Sequence, residues 1–585
     1  MNEGEIVESR NVKKVKTQQP QDLFLKVWRN KFLNSKIIQF LRLLKDFSGF
    51  NFLLNKIGDH PYKEYITKIY YDIDEPLLHQ IPSSCTSLRL GFNFNQDISC
   101  LKSLSFLRYL SIENSKYDKP IAQGALPESI TDLEIHGSKT ALSDIYIPKS
   151  VTKLSLEFYD KPLNEGDIPD HIQILFLRKF NQPLTEKSLP SSLKSIDFGF
   201  CFDQPLSTPL PNGLLYLTLS SSFNQLISKG ILPSTLTHLN IGEMFNQYLL
   251  PGVIPSSVTY LRFKMGHFNK PFSVGSIPNS VKFLDLGYSY NHPLTKNIIP
   301  DSVETLLLSN KFNCSLSKNS IPPSCTELIF SNDFNNPIGV GVLPDSIKHL
   351  EFKGDFNQNV PPGSIPDSVT TLIFGFGFNQ PLKKNSIPNS VKELSLATNY
   401  KQSLAPGLIP DSVTDLTLSY CYCLPFVPNS VPPSIKTLTF SHNFHNQIKP
   451  LSIPESVKVL NVGGFNGPLV EDIFPSSIEH LSFGSYFNNS LTPGVIKSAT
   501  YLSFGMSFNQ PLLKGSIPDT CKVLDLSKSK FNHPIENDIL PNSLTSLSFG
   551  RNFYQTTLTK SSIPSSVTHL TFENEKMRKF YESLD

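Results

Sequence analysis

Thirteen histidines and eight cysteines are the side chains in this 585-residue sequence best suited to hold a metal or act as nucleophiles. Cys421-x-Cys423 is a closely spaced pair, and His442 and His445 follow it in sequence, but no second pair stands at zinc-finger spacing. Cys85, Cys325 and Cys521 each stand three residues after a proline, where comparable stretches carry Val or Ile. They read as small buried hydrophobes rather than ligands. There is no phosphate-cradling glycine loop, no nucleophile elbow and no paired histidines in a metal-binding helix. Asp and Glu are spread without a recurrent close pair. The expectation is a protein with no catalytic residues, no metal and no cofactor. Asn313-Cys-Ser315 and Asn488-Asn-Ser490 fit the glycosylation acceptor pattern, but without a signal peptide they carry no functional reading.

The elements that must position any site come from a repeat. Ile365–Leu382, IPDSVTTLIFGFGFNQPL, is its unit, and Ile387-Pro388 begins the next one. Twenty-three units align from Pro82 to Pro564, with Leu104 and Lys497 in place of the anchoring proline, at a mean period of 21.9 residues. That period, with one strand-sized apolar segment per unit, belongs to leucine-rich-repeat-like solenoids. Six apolar columns recur, represented in one coil by Ile387, Val391, Leu394, Leu396, Tyr400 and Leu404. A lone coil buries too little to offset the ordering of its backbone, so coils must pack on one another. The Leu-x-Leu/Phe pair predicts a short strand. Stacked coils then form one parallel sheet in a β-rich, right-handed solenoid of about 23 coils. A second proline column (Pro183, Pro205, Pro293, Pro381, Pro511, Pro534) argues against helices on the outer side.

Two polar columns read as structural. Proline at the second turn position, followed by Asp, Asn or Ser and then Ser, suits a type I turn whose hydroxyl satisfies a backbone group. Asn after Phe, as at Asn246, Asn357 and Asn379, recurs once per coil and suits an amide bridging backbone groups of adjacent coils.

The ends differ. Residues 1–20 are charged and read as a disordered tail, with Lys13, Lys14 and Lys16 in a solvated stretch. Residues 21–80 carry Leu23, Phe24, Val27, Trp28 and Phe32 at helical spacing, which predicts a small helical N-terminal cap. The solenoid is assigned to 81–573, and 574–585, with Met577, Phe580, Tyr581 and Leu584, to a capping helix. The net charge of +3 is too small to drive polyanion binding, and no basic stripe persists along any column, so nucleic acid is not expected. No apolar run is long enough for a signal peptide or a membrane span. The reading is a cytoplasmic monomer with no membrane partner.

The Phe-Asn and Ile-Pro pairs resemble the FNIP repeat, a leucine-rich-repeat-like family. Phe-Asn stands intact at 94, 180, 223, 245, 268, 312, 334, 356, 378, 465, 487, 508 and 531. The resemblance covers 81–573 and implies a solenoid without implying an activity. Pro20-x-Asp22-Leu23, then Val27, is similar to the opening of an F-box, carried by some relatives. That implies an alternative role as a ubiquitin-ligase substrate adaptor.

If the strands form one open face, the residue between the two core positions points outward. In the middle of the chain this column offers Leu307, Ile329 and Ile373 as an apolar strip, flanked by Arg262, Lys264, Asp285, Glu351 and Lys353. An apolar strip with a charged rim is the composition of a protein-binding surface. The expected function is a non-enzymatic scaffold holding a protein partner on that face.

Overall fold

The computed structural model describes residues 52–53, 63–77, 81–137, 141–396, 398–418, 429–441, 444 and 448–584. Each coil opens at its proline. Pro366 O accepts the N–H of Val369 at 3.1 Å, and Pro388 and Pro255 do the same for Val391 and Val258. Proline therefore holds the first turn position, not the expected second one. It contributes a carbonyl there, and its missing N–H is not needed. The serine two residues on reaches back one coil: Ser368 Oγ donates to Ile347 O at 2.7 Å, Ser390 Oγ to Val369 O at 2.7 Å and Ser412 Oγ to Val391 O at 2.8 Å.

Strands of two to four residues follow, their alternate side chains buried. The representative columns Ile387, Val391, Leu394, Leu396, Tyr400 and Leu404 are each at most 3% exposed. At the bend beyond the strand the aromatic column stacks. Phe312, Phe334, Phe356, Phe378 and Tyr400 sit ring over ring at 5.9–6.1 Å and within 12° of parallel. Beside the stack runs an asparagine ladder. Asn357 Oδ1 accepts the backbone N–H of Asn379 at 2.9 Å, and Asn379 Oδ1 accepts that of Lys401 at 2.8 Å. Both sequons belong to this ladder: Asn313 Oδ1 accepts from Asn335 N and Asn488 Oδ1 from Asn509 N.

Among the described residues the outer return is turn rather than helix, apart from short 3-10 segments such as Ser99–Ser103 and Lys560–Ser562. Three residues before the anchor it passes through left-handed backbone, at Gly363 (φ 81°), Asn385 (φ 64°) and Leu451 (φ 61°). Glycine and asparagine tolerate that region; leucine does not.

The chain divides into two units, 1–199 and 200–585. In the first, eight described strands from Phe52–Leu53 to Ser195–Asp197 pair in parallel, each with the next. The sheet thus starts earlier than residue 81. Phe52–Leu53 pairs with Lys68–Tyr71, which pairs with Ser87–Leu90, and Lys63–Tyr65 is a 3-10 turn. This corrects the helical reading for that part of 21–80. The strand alternates, burying Ile69 and Tyr71, but lacks the Ile-Pro anchor that marks later coils. The expected tail and the helical spacing around Trp28, with the F-box-like Pro20, Asp22, Leu23 and Val27, lie outside the described residues, as do Cys421, Cys423, His442 and His445.

The second unit carries seventeen described strands, Tyr216–Thr218 to His569–Phe572, again each parallel to the next. A helix, Glu575–Glu582, follows. Asn574 Oδ1 caps it by accepting from Lys576 N and Met577 N, Met577 is fully buried, and Tyr581 lies 5.4 Å from the Phe572 ring. Among the described residues no helix is long and apolar enough to cross a membrane.

Candidate partner-binding face

Alternation in so short a strand puts two residues per coil on the open face, not one. In Tyr260–Phe263, Leu261 and Phe263 are buried while Tyr260 and Arg262 are not. Sequence reasoning followed only the Arg262 column.

That column is aligned as expected. Arg262, Asp285, Leu307, Ile329, Glu351 and Ile373 are partners in successive strand pairs. Arg262 Nε donates to Asp285 Oδ2 at 3.1 Å, so this rim is internally paired. Leu307 and Ile373 are half-buried, Glu351 lies 3.9 Å from His349 Nε2, and Lys264 and Lys353 follow directly after their strands. Ile329 departs from the expectation. It is 8% exposed and lies buried, shielded between neighbouring strands at sheet spacing. Glu351 also separates Ile329 from Ile373. The apolar strip is therefore broken, and its centre is not available to a partner.

The other column holds more. Tyr216, His238, Tyr260 and Phe283 occupy successive strands with ring centroids 4.5, 5.3 and 4.4 Å apart. The rings of Tyr260 and Phe283 are within 2° of parallel. Their faces are turned on one another, which leaves edges and tyrosine hydroxyls for a partner. Burial favours the neutral form of His238 within this ladder, pushing its pKa down. Thr218, Asn240, Arg262 and Asp285 run alongside, with Asn240 Nδ2 donating to Thr218 Oγ1 at 3.2 Å. Beyond the strand ends of the same coils Met244, Met265 and Tyr288 are 50, 65 and 39% exposed. The signal was present in the sequence: an aromatic or His five residues after four successive anchors, one place ahead of the first core leucine.

The first unit presents a different face, crowded with charge. Tyr109 donates its hydroxyl to Glu134 Oε2 at 2.5 Å, and His136 Nε2 lies 2.6 Å from Glu134 Oε1. The hydrogen bond from His136 holds the Glu134 carboxyl below its usual pKa, while burial pushes the Tyr109 phenol up to about 12. Arg178 Nε is 3.3 Å from Glu157 Oε1, which also accepts from Ser155 Oγ at 3.1 Å. Lys153 pairs with Asp132 at 3.2 Å and stands 5.7 Å from the Phe176 ring centroid. A cavity of about 150 Å³ opens among Tyr109, Glu134, Lys153, Glu157, Phe176 and Arg178.

Comparison with known proteins bears on the architecture. The FNIP Repeat family model matches at residues 159–201, 202–244, 245–289, 290–333, 334–377, 378–421, 424–464, 465–496, 497–529 and 531–575. Most of these stretches span about two coils each. A solved structure described as that of CroV588, a novel circular LRR protein, is similar at a TM-score of 0.62 and 29% identity, over 90% of this chain and 91% of that one. A TLR13–ssRNA13 complex is similar at a TM-score of 0.49 and 14% identity, over 87% of this chain and 85% of that one. No curated protein matches in sequence. With the ten matches extending over more than half the chain, on a solenoid whose Phe-Asn and Ile-Pro pairs form its ladders and turns, the protein belongs to the FNIP repeat family.

Proposed function

We propose that the chain is a non-enzymatic scaffold that holds a protein partner on the sheet face of its second unit. The Tyr216–His238–Tyr260–Phe283 ladder, with Arg262 and Asp285 beside it, is the centre of that contact. The ladder carries the reading because it combines rigid aromatic edges, hydroxyl donors and an arginine, the groups enriched at energetic centres of protein interfaces. Its side chains are ordered by stacking before a partner arrives, which reduces the entropy lost on binding. Leu307 and Ile373 extend the surface; Ile329 supports it from within. A solenoid of short strands suits this role, since each added coil adds two outward residues without a new core.

The test uses the full chain with Tyr216, Tyr260 and Phe283 each changed to Ser, beside a control with Thr417, Thr439 and Asn461 changed to Ala. Proteins retained by the immobilised wild type are quantified by mass spectrometry against both variants. A partner retained by wild type and control, but lost at least about tenfold by the aromatic variant at an unchanged unfolding midpoint, is the expected result. Equal retention by all three proteins overturns the proposal.

A further inference from the structure

We propose that Glu134, His136 and Glu157 in the first unit form a binding site for a divalent transition-metal ion, zinc by preference. Parallel register builds the cluster. Glu134 and His136 are two residues apart, and the pairing of Ile135 with Leu156 brings the following residue of each strand, His136 and Glu157, side by side. One donor atom from each of the three lies within 4.8 Å of the others. An imidazole with two carboxylates is a donor set that zinc accepts, leaving further coordination for water. The adjoining cavity of about 150 Å³ has room for it.

Charge supports a cation there. Arg89, Lys153 and Arg178 are paired with Glu113, Asp132 and Glu157 respectively. Glu134 is the remaining carboxylate: its hydrogen-bond partners are the Tyr109 hydroxyl and His136, and although the Arg89 charge acts on it, it forms no ion pair with a fixed cation among the described residues. A second observation comes from Ser111. It is in register with Glu134 on the neighbouring strand and fully buried, and its Oγ, beside the Tyr109 hydroxyl, is left without a well-formed hydrogen bond. A water on the ion would offer that hydroxyl an acceptor or donor.

The experiment titrates zinc chloride into the metal-free full chain by calorimetry, then cobalt chloride with visible absorption spectra. The same is done for His136→Asn and Glu157→Gln, after each is shown to melt as the wild type does. The expected result is one equivalent of zinc, weakened at least about tenfold in either variant. The bound cobalt should lack the thiolate charge-transfer band that a cysteine site gives. If one variant fails to fold, the other decides. Affinity unchanged in a folded variant, a thiolate band that accounts for all bound cobalt, or no zinc binding by the wild type overturns the proposal.

Discussion

Leu451 is where a single residue most plainly resists its place. It holds φ 61° while 73% exposed, in a position where other coils put Gly363, Gly407, Asn385 or Asn429. The side chain gains little from burial and its Cβ crowds the following carbonyl. Leu451→Asn should therefore raise stability by about 1 kcal/mol, read as a higher unfolding midpoint in denaturant. The cysteines are residues whose environment decides their chemistry. Burial pushes the thiols of Cys85, Cys325 and Cys521 up to about 12; partial burial and Asp97 also raise that of Cys100, but its side chain is exposed to reagent. A raised pKa means the neutral thiol persists through mildly alkaline pH, and only the thiolate attacks. Iodoacetamide on the native protein at about pH 8 should label Cys100 and leave those three untouched, as peptide mass spectrometry would show.

At the scale of the element, the ladders connecting coils matter more than any one strand. Asn379 is needed as an acceptor, not as an amide. Asp160 and Asp203 stand in the same column and accept Asn181 N and Asn224 N at 2.8 Å. Asn379→Asp should melt near the wild type. Asn379→Ala leaves Lys401 N to water and should cost about 1 kcal/mol. Equal losses in both variants would mean that the amide N–H₂ is what the ladder uses. This column, the serine column and the buried aromatic column were legible in the sequence because each repeats one local arrangement many times; the stacking of the rings was seen only in the structure. The turn position of proline was not, since proline suits two places in a turn and only the observed hydrogen bond distinguishes them.

For the molecule as a whole, the unit of change is the coil. Deleting residues 366–387, which are 22 in number, joins Ile365 to Pro388 and restores an Ile-Pro turn. The shortened protein should keep a cooperative unfolding transition measured by circular dichroism. Deleting 366–376, 11 residues, joins Ile365 to Gly377 and should abolish it, because no register then returns every core column to its neighbours. The two faces are also a property of this scale. Charge gathers around Glu134 in the first unit and aromatic rings around Tyr260 in the second, although the coils beneath them share one plan.

The amino-acid order alone determined the period, the six buried columns, the stacking of coils and, among the described residues, the turn-rich outer segments. Each of these follows from a pattern within 22 residues, repeated until chance is excluded. Tertiary structure decided which outward residues remain outward: Ile329 is covered, and Tyr216, His238, Tyr260 and Phe283 become one ladder. It also decided that strands precede the first anchored coil and that Glu134, His136 and Glu157 meet. The reason is physical. Core burial in a solenoid is set by each coil's own alternation, whereas exposure and clustering on its face depend on the sizes and charges of side chains on several adjacent strands at once.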